Sequence, residues 1–172
     1  MEVIHLPDHP SSSSGIERIL KARGVYGVII APLPQPGTLP NFPWSEFPLA
    51  AVGHSLNEPK VHYVMSHYYH AMEQVVQELR RRGYRRIGLL ESEMMEARTE
   101  RSQSMAFREL LSGQATPSWK KAIQHNDRWT KQNYEQWLQV FRPDAVIASF
   151  AHIRDCLIET GVTIPKDLGL SA

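Results

Sequence analysis

The 172-residue sequence has one cysteine, Cys156. No internal disulfide can form, and a reducing compartment, the cytoplasm, is the simplest expectation. No apolar run reaches the roughly 18 residues that mark a membrane span. The N-terminal MEVIHLPDHP has acids and prolines but no apolar core, so an export signal is not expected. Neither sign of charge dominates. There are 19 Lys and Arg against 18 Asp and Glu, a formal net charge of +1. That excludes a bulk electrostatic hold on nucleic acid and leaves only a local patch. G-x-G-x-x-G, G-x-x-x-x-G-K-[ST] and G-x-S-x-G are all missing, so dinucleotide, P-loop and hydrolase chemistry lack their motifs. No enzyme is expected, and no cofactor.

What is present is an alternation of helix and strand signals. Met72, Val75, Val76 and Leu79 recur at helical spacing. Arg80, Arg81 and Arg82 then fill a last turn, where cations suit the macrodipole, and Gly83 is placed to stop the helix. Ile87–Leu90 runs apolar without alternation, as a strand covered on both faces does. Earlier, Ser14 with Glu17 reads as a capping box for a helix ending at Gly24. Val3–Leu6 reads as a short strand, Val25–Ala31 and Leu49–Gly53 as buried strands, and Val61–Val64 as a further strand or the crossing into the next unit. Pro32, Pro34, Pro36 and Pro40 mark a long loop anchored by Phe42 and Trp44.

Later, Glu91–Ala97 reads as a loop and 98–111 as a helix. Ala115–Ile123 is ambiguous. Asp127 reads as a cap for a helix bearing Tyr134, Trp137, Leu138 and Phe141. Ala145–Ser149 reads as a strand, followed by a helix with Ile153, Cys156 and Leu157 and a last apolar run, Leu168–Leu170. This order predicts an α/β fold: mostly parallel sheet with helices on its faces.

Several side chains invite chemistry. His62, His67 and His70 suggest a metal, but no cysteine or paired His-x-x-x-His completes a zinc set, so polar surface is the simpler reading and no metal is expected. Arg80, Arg81, Arg82, Arg85 and Arg86 form either a phosphate patch or a compensated helix end; the second is favoured. Cys156 falls on an apolar face and reads as a small core residue. Glu91 and Glu93 lie at the ligand-binding end of a strand, yet read as solvated loop acids. Tyr68, Tyr69, Trp129 and Phe150 fall near element ends and suit either packing or a small-molecule pocket.

Five short segments, in order, carry a resemblance: Arg23–Ile29 (RGVYGVI), Phe47–Ala50 (FPLA), Gly83–Ile87 (GYRRI), Pro143–Val146 (PDAV) and Gly161–Leu168 (GVTIPKDL). Together they make the chain similar to the effector-binding domain of LacI/GalR-type transcriptional regulators, which shares its fold with periplasmic sugar-binding proteins. The resemblance implies a type I periplasmic-binding-protein-like fold of two Rossmann-like lobes with parallel sheets. Residues 1–65 would be a truncated first lobe and 66–172 most of the second. It implies a cytoplasmic homodimer with a small-molecule effector, a sugar or nucleoside-like compound, held between lobes whose hinge motion shifts DNA affinity. Operator DNA would be bound through a helix-turn-helix not found in these residues. No membrane partner is implied.

Ser66, Gln103, Phe150 and Trp129 are the expected effector-site residues. Three of them depart from the family. Ser66 and His67 stand where an Asp is usual, Gln103 where an Arg is, and Phe150 and Ala151 where Asn-Asp is. The alternatives are a solute-binding protein of the same fold, an enzyme on a generic α/β sheet, and an interaction module without a ligand.

Overall fold

The computed structural model describes residues 13–39, 42–112, 119–149 and 153–171. The chain divides into two compact units, 1–66 and 67–172. Val3–Leu6, half of the Ala115–Ile123 segment and Phe150 lie outside the described residues.

The first unit contains α1 (Ser13–Ala22), β1 (Val28–Ile30), β2 (Gly37–Thr38), β3 (Leu49–Val52), β4 (Leu56–Glu58) and β5 (His62–Val64). Ser14 therefore lies inside the first turn of α1, not before it. Gly24 follows the helix with φ +64°, a conformation that favours glycine. β1, β3 and β5 form a parallel sheet in that order, and β2 pairs with β4. Those last two strands arise within and after the proline-rich stretch expected to be only loop. Ser55 is buried there; its Oγ accepts the Leu33 amide at 2.7 Å and its carbonyl accepts the Gly37 amide at 2.8 Å. Ile16 and Leu20 of α1 pack with Phe42 and Phe47 against Val28 and Leu49, so one sheet face is covered. The opposite face is not: Ile29 and Val64 are exposed. Within Val25–Ala31 the strand is Val28–Ile30 and only Ile30 is buried, because α1 is the unit's one helix among the described residues.

The second unit runs α2 (Tyr68–Arg81), β6 (Ile87–Glu91), α3 (Glu93–Arg98), α4 (Ser102–Leu111), α5 (Trp119–Ala122), β7 (Ile123–His125), α6 (Lys131–Phe141), β8 (Ala145–Ala148), α7 (Ile153–Glu159) and β9 (Gly169–Ser171). Its four strands are all parallel, in the order β7-β6-β8-β9. Every residue of β6 and β8 is buried, as unalternating apolar runs in a parallel sheet require. Gly83 ends α2 with φ +97° and Gly161 follows α7 with φ +85°.

Two expectations are corrected here. Glu91–Ala97 is not a loop. Glu91 ends β6, and α3 begins at once because Ser92 Oγ accepts the Met95 amide at 3.0 Å. The next helix then starts at Ser102, after Glu100 and Arg101 turn with positive φ. Asp127 does not cap α6; Thr130 does, in a reciprocal capping box with Asn133. Asp127 accepts the Met94 amide at 3.1 Å instead.

The arginines behave as a compensated helix end. Arg81 and Arg82 each hold the Glu78 carboxylate at 2.7 Å, and Arg80 donates to the Leu110 carbonyl at 2.9 Å. Asp144 ties the N-terminal end of the sheet. Its carboxylate accepts the Arg85 and Arg86 amides at 2.8 Å each, its amide donates to the Arg86 carbonyl at 3.0 Å, and its carbonyl accepts the Gly169 amide at 2.9 Å.

Gly88 of β6 lies under the Trp137 ring; a Cβ there would fall 2.5 Å from Cζ2. That ring is pinned by Nε1 donating to the Lys121 carbonyl at 2.8 Å, so it has little freedom to withdraw. Gly88→Ala is expected to cost about 1–3 kcal/mol by overpacking, read as a lower denaturant midpoint at unchanged slope. An unchanged midpoint would show that the ring yields freely.

Candidate functional site

The strand order fixes where a ligand belongs. After β6 the chain moves to β7 on one side; after β8 it moves to β9 on the other. β6 and β8 are adjacent, so their C-terminal ends form the switch point of the sheet, where ligands bind in open α/β folds. Glu91 is the last residue of β6 and Ser149 the first after β8. Ser149 Oγ donates to Glu91 Oε2 at 2.5 Å across this point.

Beside it is a cavity of about 250 Å³ belonging wholly to the second unit. Tyr68, Ala71 and Met72 from the first half of α2 line one side, and Gln103 from the start of α4 joins them. Ile147, Ala148 and Ser149 supply the strand end. Its walls are mostly apolar with a few hydroxyl and amide groups, the usual make-up of a small-molecule site. None of the described lining residues carries a full charge.

The charge lies one layer behind. Glu91 and Glu96 are both buried, at 1 % and 3 % exposure. Ser104 Oγ donates to Glu96 Oε2 at 2.7 Å, and His125 Nε2 stands 3.2 Å from the same oxygen. His125 is the β7 residue in register with Glu91. Each carboxylate keeps one buried oxygen, Oε1, with no hydrogen-bond partner among the described residues. Burial pushes the Glu91 carboxyl up to about 7; the Ser149 hydroxyl pulls it down, and the nearby Glu96 pushes it up again. Reading Glu91 as a solvated loop acid was therefore wrong, although Glu93 is indeed exposed. Glu96, Ser104 and His125 had no signal in their local sequence, because the chain brings them together from α3, α4 and β7.

The four expected site residues do not form one group. Gln103 lines the cavity. Ser66 is the exposed last residue of the first unit. Trp129 does not line the cavity; it stacks on Tyr134 with ring centres 4.7 Å apart and packs against the core. Phe150 lies outside the described residues. Of the other aromatics, Tyr68 lines the cavity and Tyr69 is exposed. Cys156 packs against the core beside the Tyr134 hydroxyl. His67 caps α2, its Nδ1 accepting the His70 amide at 3.1 Å. Among the described residues no cluster of His, Cys, Asp and Glu is arranged to hold a metal ion. No described helix is long and apolar enough to cross a membrane.

No sequence-family model matches the chain, and no curated protein is similar to it in sequence. Solved structures are similar in fold. A transcriptional regulator, CelR, solved with cellobiose is 22% identical with a TM-score of 0.63, over 92% of this chain and 51% of its own. A LacI-family regulatory protein from Chloroflexus aggregans is 20% identical with a TM-score of 0.63, over 96% of this chain and 63% of its own. A LacI-family regulator from Lactobacillus casei solved with bound glucose is 19% identical with a TM-score of 0.59, over 91% and 63%. The chain thus spans between half and two thirds of the length of these structures. Parallel sheets, their strand order and this likeness give the chain the periplasmic-binding-protein-like α/β fold of LacI-family regulatory domains.

Proposed function

We propose that the chain is the ligand-sensing part of a LacI-type transcriptional regulator that works in the cytoplasm as a homodimer. Its effector is a small molecule of monosaccharide size with hydroxyl groups. It binds at the C-terminal edge of the second unit's sheet, against Tyr68, Gln103 and Ser149. The observation that carries this reading is the cavity at the β6–β8 switch point, with hydrogen-bonding groups set in an apolar wall. Its volume of about 250 Å³ is below the roughly 300–1,000 Å³ of pockets for drug-sized ligands, which favours a single ring. Neighbours of the same fold were solved with cellobiose and glucose. Binding favours one conformation of the regulator, and that preference alone can change its hold on operator DNA. Of the four expected effector contacts, Gln103 lines this cavity and is the one proposed to hold the ligand.

The test is calorimetric titration of the chain with D-glucose, cellobiose and sucrose. At least one is expected to bind, and Gln103→Ala is expected to weaken it about tenfold, the weight of one buried hydrogen bond left unmade. Absence of binding by all three would sink the sugar-sensing reading.

A further inference from the structure

The mechanism just proposed uses Ser149 but not the buried acid behind it. Glu91 touches no cavity space, yet it is the hydrogen-bond acceptor of the one hydroxyl at the end of β8 that does. A carboxylate can only accept. While Glu91 is ionised, the Ser149 proton is committed to Glu91 Oε2, and the Ser149 oxygen offers only lone pairs to the cavity. Once Glu91 takes up a proton it can itself donate, and the Ser149 proton is released to point elsewhere. One proton on a buried group thus reverses the polarity of a hydroxyl on the cavity wall.

Resting on the ligand-sensing reading above, we infer that Glu91 is a specificity-determining residue that acts through Ser149. In its ionised form it fixes Ser149 as an acceptor, so the site takes a ligand hydroxyl or N–H donor there, and binding is linked to proton release. The surroundings of Glu91 set this up. Glu96 on α3 and His125 on β7 are the ionisable groups beside it: Glu96 Oε2 accepts from Ser104 Oγ at 2.7 Å and stands 3.2 Å from His125 Nε2, and His125 is in register with Glu91. The other described charges on the helices packed here are exposed or engaged elsewhere: Glu93 on α3, Arg108 and Glu109 on α4 and Lys120 and Lys121 on α5 are exposed, and Arg98 on α3 lies against the Met95 sulfur at 4.0 Å. Among the described residues no arginine or lysine contacts the Glu91 carboxylate to hold it ionised, so its charge answers to the pH and to the ligand. Burial brings its titration to about 7, where a ligand that prefers the ionised form can displace the proton.

The test uses the full chain and the same three sugars, titrated at pH 6 and pH 8. A sugar that binds is expected to bind about fivefold more tightly at pH 8, the weight of strengthening one hydrogen bond by charge. Heats measured in two buffers of different ionisation enthalpy should show a fraction of a proton released. Glu91→Gln should flatten this pH dependence while still binding, because a Gln oxygen can accept from Ser149 at any pH. Ser149→Ala should flatten it too. Binding by the parent chain that is equal at pH 6 and pH 8 overturns the inference and leaves the sugar-sensing reading standing. Absence of binding by either protein at either pH overturns both. A Glu91 side-chain carbon that titrates below pH 5 by NMR overturns the inference whatever the ligand does.

Discussion

At pH 8, Glu91→Gln is expected to be more stable than the parent chain by about 3 kcal/mol, and at pH 4 the two are expected to be equal. The carboxyl ordinarily titrates near 4.5 in an exposed chain and near 7 when folded. The folded state therefore holds its proton over a range in which the unfolded state has lost it. Stability falls as pH rises wherever the folded form binds more protons. The loss begins near pH 4.5, accumulates to about pH 7 and is flat above. The shift corresponds to about 3 kcal/mol at 1.36 kcal/mol per unit, a large share of the roughly 5–15 kcal/mol that holds a typical domain folded.

A glutamine removes the ionisation and keeps an oxygen for Ser149. Its amide nitrogen also supplies a donor beside Glu96, whose Oε1 has no partner. Amide hydrogen exchange of β6 and β8 is the right measurement because it reports on the second unit alone. Parallel pH profiles for the two proteins would refute the account. The same substitution that stabilises the fold also removes the proton linkage of the site, a trade between stability and function that is common where buried charge serves a task.

Phe107→Ala is expected to destabilise the second unit by about 3–5 kcal/mol, the range for an aromatic removed from a packed interior. Phe107 is fully buried on α4. It belongs to the same core as Met72 and Val76 of α2 and Leu89 and Leu90 of β6, and α2 and α4 pack along one another. A ring at that position is surrounded by secondary structure, and such walls collapse little into a void. Phe107→Leu keeps most of the volume and should cost less than half as much. Denaturant midpoints for the two variants check the pair; equal losses would show that ring shape, not filled volume, is what the core requires. Phe107 lies four residues after Gln103 on the same helix. A loss of ligand affinity in Phe107→Ala that Phe107→Leu restores would mark it as the residue that holds Gln103 in place.

Much of the architecture was legible because it was written in local pattern. Ile87–Leu90 and Ala145–Ala148 have no polar break, and both became central parallel strands. Gly24, Gly83 and Gly161 each stood after a helical run, and each takes a positive φ. The failures at the site have one cause: a polar residue whose partner is brought in from another element. Glu91 and Glu96 sit in ESEMME, a stretch that composition marks as solvated. Their burial depends on Ser149, Ser104 and His125, up to 58 residues away. Asp127 looked like a cap because it precedes a helix, but Thr130 is nearer and has Asn133 to reciprocate. Trp129, near an element end, suits packing or a pocket equally by sequence; the structure shows packing, because Tyr134 offers it a stacking face one turn on. The legible cue that was passed over is the Glu at the end of IGLLE. A carboxylate closing an otherwise apolar strand is in register with that strand's buried side chains and has nowhere else to point.

The Asp144 hydrogen bonds bear on how such a molecule can be altered. They join the entry ends of three neighbouring strands, while everything that would meet a ligand stands at the exit ends. A sheet stitched at one end behaves like a comb held by its spine: the teeth can be recut without loosening the comb. Lineages descended from one ancestor could therefore change Gln103, Tyr68 or Ser149 to follow a new nutrient, and an engineer could randomise the same positions to build a reporter for a chosen compound. Asp144 would be the position to leave untouched in both cases.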